Sequence, residues 1–186
     1  MKTLIDERYG GLRPLARWYG WSLAAAIGAL SETKRIAPGS VERLIFVCSG
    51  NICRSPFAEY LAAKAGIEAA SAGLHAARGD PANPRALTVA PQFGVDLSTH
   101  RSKPMADVPA RAGDLFVFFE PKHLQEFRQL PDFKTAPATV LGMWLAGPRP
   151  YIHDPYGLSE KHFAHCYERI RAGVNALRER LNVASR

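Results

Sequence analysis

From about residue 44 onward, short apolar runs alternate with stretches of helical spacing. Leu44-Ile45-Phe46-Val47 and Leu115–Phe119 are continuous apolar runs of strand length, as expected of parallel strands buried on both faces. Glu68–Ala72 and Thr139–Met143 complete a set of four. Between them the spacing predicts a helix opened by Ser55 and Pro56 and running to Ala65. It predicts another over Arg85–Phe93, which Pro91 must shorten or kink, and a third over Pro121–Gln129. A last helix runs from a Ser159 cap to Leu181, with Phe163, Tyr167, Ile170, Val174, Leu177 and Leu181 on its core face. The pattern predicts an α/β fold, a doubly wound four-stranded parallel sheet with helices on both faces. Such sheets bind ligands outside the carboxyl ends of their strands.

Residues 1–43 read differently. Leu12, Leu15, Ala16, Tyr19, Leu23, Ala26, Ile27 and Leu30 share one face at helical spacing, with Trp18 and Trp21 widening it and Arg13 and Arg17 lying off it. The apolar stretch from Trp18 to Leu30 is 13 residues, too short to span a bilayer. Its long lead containing Asp6 and Glu7 does not suit a signal peptide. The expectation is an N-terminal amphipathic helix that docks on the following domain or on a second copy. A peripheral membrane contact through residues 12–30 and a partner-binding segment remain open beside it. Ser31 to Val41, with Pro38-Gly39-Ser40, reads as a linker. The division is therefore an extension over 1–43 and a catalytic domain over 44–186.

Composition narrows the class. The chain has 186 residues, enough for one substantial core. The net charge of +7 is spread along it: residues 1–43 hold seven basic and four acidic side chains, the remainder 17 and 13. No basic block or basic–aromatic stripe points to nucleic acid, and a mild positive field suits an anionic substrate. Three cysteines, Cys48, Cys53 and Cys166, are too few and too odd in number for a disulfide-stapled secreted domain. They point to the cytoplasm.

The chemistry concentrates in Cys48-Ser49-Gly50-Asn51-Ile52-Cys53-Arg54-Ser55-Pro56. A cysteine ends a strand, and an arginine six residues later stands at a helix start. Gly50 and Asn51 between them tolerate left-handed backbone angles. Such a loop can turn successive amides inward as an anion nest, reinforced by the helix N-terminus. These donors favour thiolate over thiol at Cys48, and the thiolate is the nucleophilic form. Arg54 can grip two oxygens of a phosphate with a planar fork. Phosphoryl transfer needs mainly positioning and charge stabilisation, which this loop supplies without a metal or another cofactor.

The segment resembles the phosphate-binding loop of the low-molecular-weight protein tyrosine phosphatases, with the pattern Cys-x5-Arg-Ser. Ser71-Ala72-Gly73, Asp80–Ala86, Gly94–Ser102 and His153-Asp154-Pro155-Tyr156-Gly157 resemble further segments of that family, and the likeness runs from about Leu44 to Asn182. It implies that Cys48 attacks phosphorus and forms a cysteinyl-phosphate. Arg54 binds the equatorial oxygens, Ser55 stabilises the thiolate and Asn51 holds the loop's conformation. Asp154 protonates the leaving oxygen and then takes a proton from water. Ser49, Gly50, Ile52, Cys53 and Tyr156 would complete the phosphate and substrate site. Cys53 is also the candidate redox partner that shields Cys48 by a reversible disulfide.

The substrate expected from the resemblance is a phosphotyrosine protein. An apolar Ile52 beside the phosphate suits a flat aromatic leaving group better than a guanidinium, so phosphoarginine is the alternative, followed by a phosphate-binding adaptor with little turnover. Leu74–Arg78 lacks the aromatic often found there, and Gly157 replaces a second one, a pattern that looks bacterial. Bacterial members often act on tyrosine kinases that control capsule or exopolysaccharide export, so such a kinase is the candidate partner. The sequence leaves the oligomeric state open. His162, His165 and Cys166 fall on one helix turn without a fourth ligand and read as a polar helix edge, not a metal site.

Overall fold

The computed structural model describes residues 2–147 and 149–182. Four parallel strands, β1 (Arg43–Cys48), β2 (Ala69–Gly73), β3 (Asp114–Phe118) and β4 (Ala138–Val140), form one sheet in the order β2-β1-β3-β4. β1 pairs with β2 from Leu44 opposite Ala69 to Cys48 opposite Gly73, and with β3 from Arg43 opposite Asp114 to Val47 opposite Phe118. Every residue of β1, β3 and β4 is buried, so both faces of these strands are covered, as their unbroken apolar runs require. The strand order reverses beside β1. The crevice at the carboxyl ends of β1 and β3 is therefore the expected ligand position, and Cys48 stands at its edge.

In chain order the helices are α1 (Lys2–Tyr9), α2 (Leu12–Ala26), α3 (Arg54–Lys64), α4 (Pro84–Val89), α5 (Pro121–Phe127) and α6 (Glu160–Leu181). Ser159 caps α6 by accepting from the His162 amide, and all six residues expected on its core face are buried. Aromatic rings fasten the layers. Phe57 of α3 stacks on Tyr167 of α6 with centroids 3.7 Å apart, flanked by Phe93 and Phe163. Phe116 and Phe118, on one side of β3 by strand alternation, meet Phe127 of α5, and Phe133 closes that cluster.

Several expected boundaries shift. Pro91 ends α4 at Val89 and turns Ala90–Phe93 into a 3-10 helix that stops at Gly94, whose φ of +69° is left-handed. Residues 141–143 also form a 3-10 turn instead of extending β4. Ser55 does not cap α3. The helix begins at Arg54 behind Cys53, and the Ser55 hydroxyl is used elsewhere. The segment expected to be a linker is packed: Ser31–Lys34 is a 3-10 helix, Thr33 and Val41 are buried, and the Gly39 amide donates to the Leu181 carbonyl.

The N-terminal residues form two helices instead of one, joined at Gly10-Gly11. The apolar face of α2 does not dock. Leu12, Tyr19, Leu23 and Ile27 are 62–78% exposed, while Ala25 is buried and Trp18, Trp21 and Ser22 are partly covered. The inner face is chosen by aromatic packing, Trp18 lying edge-on to Tyr9 and under the Arg149 guanidinium.

An ion pair anchors the far end of the sheet. Arg43 at the start of β1 donates from Nε and Nη2 to the two carboxylate oxygens of Asp114 at the start of β3, both bonds 2.7 Å, and both side chains are buried. Asp114 also accepts from the Arg111 amide. Asp114→Ala leaves a buried guanidinium without its counter-charge. We expect it to lower unfolding free energy by about 3 kcal/mol in urea titrations; a loss below about 1 kcal/mol would show that water reaches Arg43.

Candidate active site

The loop from Cys48 to Arg54 is held from outside by its carbonyls. Those of Cys48, Ser49 and Ile52 accept from the amides of Leu74, His75 and Asn83. The Asn51 carbonyl lies 2.7 Å from His100 Nε2, which must carry the hydrogen because a carbonyl only accepts. The Cys53 carbonyl accepts from the Tyr167 hydroxyl at 3.1 Å. In a trans peptide the N–H opposes the C=O. Tying these carbonyls outward therefore turns the amides of Ser49, Gly50, Ile52, Cys53 and Arg54 toward the opposite side, the geometry of an anion nest. Gly73 permits the close approach behind it, since a Cβ there would lie 2.5 Å from the Ser49 carbonyl oxygen and 2.9 Å from the Asn51 amide.

Asn51 is the loop's keystone. Its φ of +54° is left-handed, a strain Asn bears better than most residues. Its side chain donates from Nδ2 to Ser55 Oγ and Ser71 Oγ, each at 2.8 Å, and accepts from the Lys103 amide. Ser71 donates on to Glu59 of α3, whose carboxyl is pushed up by burial against the pull of Ser71 and Lys103. Ser55 Oγ lies 3.0 Å from Cys48 Sγ. A buried chain of polar groups thus runs from Glu59 to the cysteine sulfur.

Arg54 is wholly buried. Nη1 donates to Glu120 at 2.6 Å and to the Ile152 carbonyl at 3.0 Å, and Nη2 donates to Asp154 Oδ2 at 2.6 Å. Burial alone would lower its pKa, but the carboxylates of Asp154 and Glu120 outweigh that and hold it charged. A guanidinium has five N–H groups. Three are used here, and Nε has no partner. The Nε–Nη2 edge therefore keeps two donors, the fork that grips two oxygens of a phosphate.

Cys48, Ser49, Gly50, Ile52, Cys53, Asp154 and Tyr156 line one cleft of about 280 Å³. The structure thus brings seven of the sequence-predicted residues to one cleft, from the buried Cys48 to the 64% exposed Tyr156, with Arg54, Asn51 and Ser55 bonded behind them. Asp154 Oδ1 accepts from the Tyr156 amide at 3.2 Å, an Asx turn that orients the carboxylate. All three cysteines are free and buried. Burial pushes the Cys53 thiol well up, so it rests as a neutral packed group, and it raises Cys166 to about 12. His75 lies apart, paired with Glu126. His162, His165 and Cys166 make separate contacts, to the Glu7 carbonyl, Glu168 and the His153 carbonyl.

Glu120, Glu59, Ser71, His100 and Tyr167 bond the site's groups and were given no role there by the sequence. Ser71 and His100 lie in segments that resemble the family, Tyr167 on the core face of the last helix, and Glu120 just past the carboxyl end of a buried apolar strand.

Residues 43–186 match the profile of the family described as low molecular weight phosphotyrosine protein phosphatase. The chain is 32% identical over 141 residues to the low molecular weight protein-tyrosine-phosphatase Etp of Escherichia coli K12, covering 75% of this chain and 94% of that one. The tyrosine phosphatase Wzb from Escherichia coli K30, solved in complex with sulphate, superposes with a TM-score of 0.69 at 29% identity, over 76% of this chain and 99% of that one. The YwlE arginine phosphatase from Geobacillus stearothermophilus superposes with a TM-score of 0.65 at 26% identity, over 76% and 93%.

Replacing Asn51 by Ala removes three buried hydrogen bonds and leaves a left-handed backbone angle unsupported. We expect the inhibition constant for inorganic phosphate to rise about tenfold and stability to fall by about 2 kcal/mol. An unchanged inhibition constant would mean that the outer carbonyl bonds hold the loop by themselves.

Proposed function

This chain belongs to the low molecular weight phosphotyrosine protein phosphatase family, and from that premise we propose that it hydrolyses phosphotyrosine in proteins with Cys48, Arg54 and Asp154 as its reacting groups. The observation that carries the assignment is one cleft lined by Cys48, its outward-tied loop and Asp154, with the buried Arg54 bonded to Asp154 and its Nε–Nη2 edge unspent.

The phosphate dianion sits in the nest with two oxygens on the Nε–Nη2 edge of Arg54. Cys48 Sγ attacks phosphorus while the P–O bond breaks and its electron pair goes to the phenolic oxygen, which takes a proton from Asp154. The Ser55 hydroxyl donates to the sulfur when it is the thiolate and again when it leaves. In the second half Asp154 takes a proton from water, which attacks phosphorus and breaks the P–S bond, releasing inorganic phosphate. Loop amides and Arg54 hold the charge that develops. Cys53 is the proposed resolving thiol when Cys48 is oxidised to the sulfenic acid.

Ile52 and Tyr156 on the rim make an apolar slot for an aryl leaving group, which favours phosphotyrosine over phosphoarginine. A bacterial tyrosine kinase is the proposed substrate protein. The three thiols suit the reducing cytoplasm. Phosphate release from matched phosphotyrosine and phosphoarginine peptides tests this reading. We expect phosphotyrosine to be preferred and Cys48→Ser to abolish release. Preference for phosphoarginine would overturn the substrate, and full turnover by Cys48→Ser the mechanism.

The exposed stripe of α2 supports a second assignment, that this face rests on an anionic membrane surface. Among the described residues no helix is long and apolar enough to cross a membrane. Leu12, Tyr19, Leu23 and Ile27 nonetheless form an outward apolar face. Between Glu7 and Glu32 the chain carries Arg8, Arg13 and Arg17 and no carboxylate. An anionic surface complements the exposed Arg13 beside Leu12, whereas the same stripe on a second copy offers it no counter-charge. We expect the protein to sediment with phosphatidylglycerol-containing vesicles and not with neutral phosphatidylcholine vesicles, and the double variant Leu23→Asp, Ile27→Asp to stay in solution. Equal behaviour of the two proteins, or a dimer abolished by the same changes without vesicle binding, would overturn it.

A further inference from the structure

The segment that carries Asp154 is held from two sides. On one side the Ile152 amide donates to the Phe119 carbonyl, and Arg54 bonds the Ile152 carbonyl and the Asp154 carboxylate. The side chains of the alternate residues, Tyr151 and His153, meet the N-terminal helices instead. The turn between α1 and α2 lies on the His153 ring so closely that a Cβ on Gly10 would stand 2.5 Å from Cδ2 and 2.8 Å from a methyl of Leu158. Gly10 also has a φ of +80°, so only glycine serves both needs. The Arg17 guanidinium of α2 lies near the Tyr151 hydroxyl and acts on it electrostatically, and that hydroxyl lies 2.8 Å from His153 Nδ1.

The helices are fastened where this contact requires it. The Glu7 carbonyl accepts from His162 Nδ1 at 3.0 Å, and the Glu7 carboxylate pairs with Lys161 at 2.9 Å, both on the first turn of α6 just past the Asp154 segment. Trp18 bridges Tyr9 and Arg149 on the segment's near side. Burial pushes His153 down to about 4, so its ring is uncharged at neutral pH and lies against Gly10 without a charge to desolvate.

We propose that Gly10 and Arg17 of the N-terminal helix pair are positioning residues for Asp154, bracing Tyr151 and His153 so that the carboxyl stays aimed into the Cys48 cleft. The proposal rests on Asp154 being the general acid. It assigns the extension a part in the reaction that the loop residues alone do not supply, because among the described residues the carboxylate itself is held only by one Arg54 bond to Oδ2 and by the Tyr156 amide of its own turn. A shift of about 1 Å in a proton donor is enough to slow a transfer it serves.

Leaving-group dependence separates positioning from general damage, because a poor leaving group needs the acid and a good one does not. The full-length protein is assayed for kcat/KM on phenyl phosphate and on p-nitrophenyl phosphate, with inhibition by inorganic phosphate reporting the loop. Asp154→Ala sets the reference, with an expected loss of about 100-fold on phenyl phosphate and far less on p-nitrophenyl phosphate. Gly10→Ala and Arg17→Gln should each lower the phenyl phosphate value about tenfold and the p-nitrophenyl phosphate value about twofold, with phosphate inhibition unchanged. His153→Ala combined with Gly10→Ala makes room for the added methyl and should recover most of the loss relative to His153→Ala alone. Arg17 is exposed, so its variant keeps the test open if Gly10→Ala folds poorly. Wild-type ratios in both variants, or equal losses on both substrates without recovery, would overturn the brace while leaving Asp154 as the acid. No leaving-group preference in Asp154→Ala would remove the acid assignment and the brace with it.

Discussion

A guanidinium with no exposed surface sits at the centre of this protein, and its neighbours are arranged around that fact. Moving a cation out of water costs several kcal/mol even after relaxation, so Arg54 is tolerable only with counter-charge and hydrogen bonds in place. Glu120, Asp154 and the Ile152 carbonyl supply them from two segments far apart in sequence. The arginine therefore joins the end of β1, the end of β3 and the Asp154 segment at one point. It does this with Nε and one Nη2 hydrogen unspent, the two donors that the proposed phosphate contact needs.

The loop before Arg54 follows a related logic. A ring of inward amides is unfavourable unless the opposing carbonyls are satisfied, and they are satisfied by Leu74, His75, Asn83, His100 and Tyr167. These partners come from segments after β2 and from α6, so the nest exists only once the domain has closed. Asn51 adds the one strained residue, and Ser55, Ser71 and the Lys103 amide hold it. Function here is built from backbone direction, with few side chains specialised for it.

The N-terminal helices reverse the usual reading of an amphipathic helix. Apolar spacing ordinarily marks the buried side. In α2 that side faces outward, and the domain is touched by Trp18, Ala25 and the turn at Gly10. Aromatic and cation–π contacts to Tyr9 and Arg149 fix the inner face, and the close seat over His153 fixes the turn. One helix pair thus presents an apolar surface outward and supports the Asp154 segment inward.

The pattern of apolar runs was sufficient for the four strands, the long last helix with its Ser159 cap, and the position of Cys48 at a strand end, because these follow from local periodicity and local hydrogen bonding. The spacing from Cys48 to Arg54 and the residues Gly50 and Asn51 made an anion nest legible for the same reason. Ser55 was misread as a cap because a hydroxyl near a helix start has several acceptors within reach, and only the fold brought Cys48 Sγ and Asn51 to it. Pairings across 66 and 100 residues, Arg54 with Glu120 and with Asp154, left no periodic trace that distinguishes a carboxylate of the site from a turn former. The outward face of α2 was equally invisible, since hydrophobic spacing defines a face and not its neighbour. The sequence by itself determined which residues could bind phosphate; the tertiary structure decided which of them meet, because burial makes a charge depend on partners that chain order does not specify.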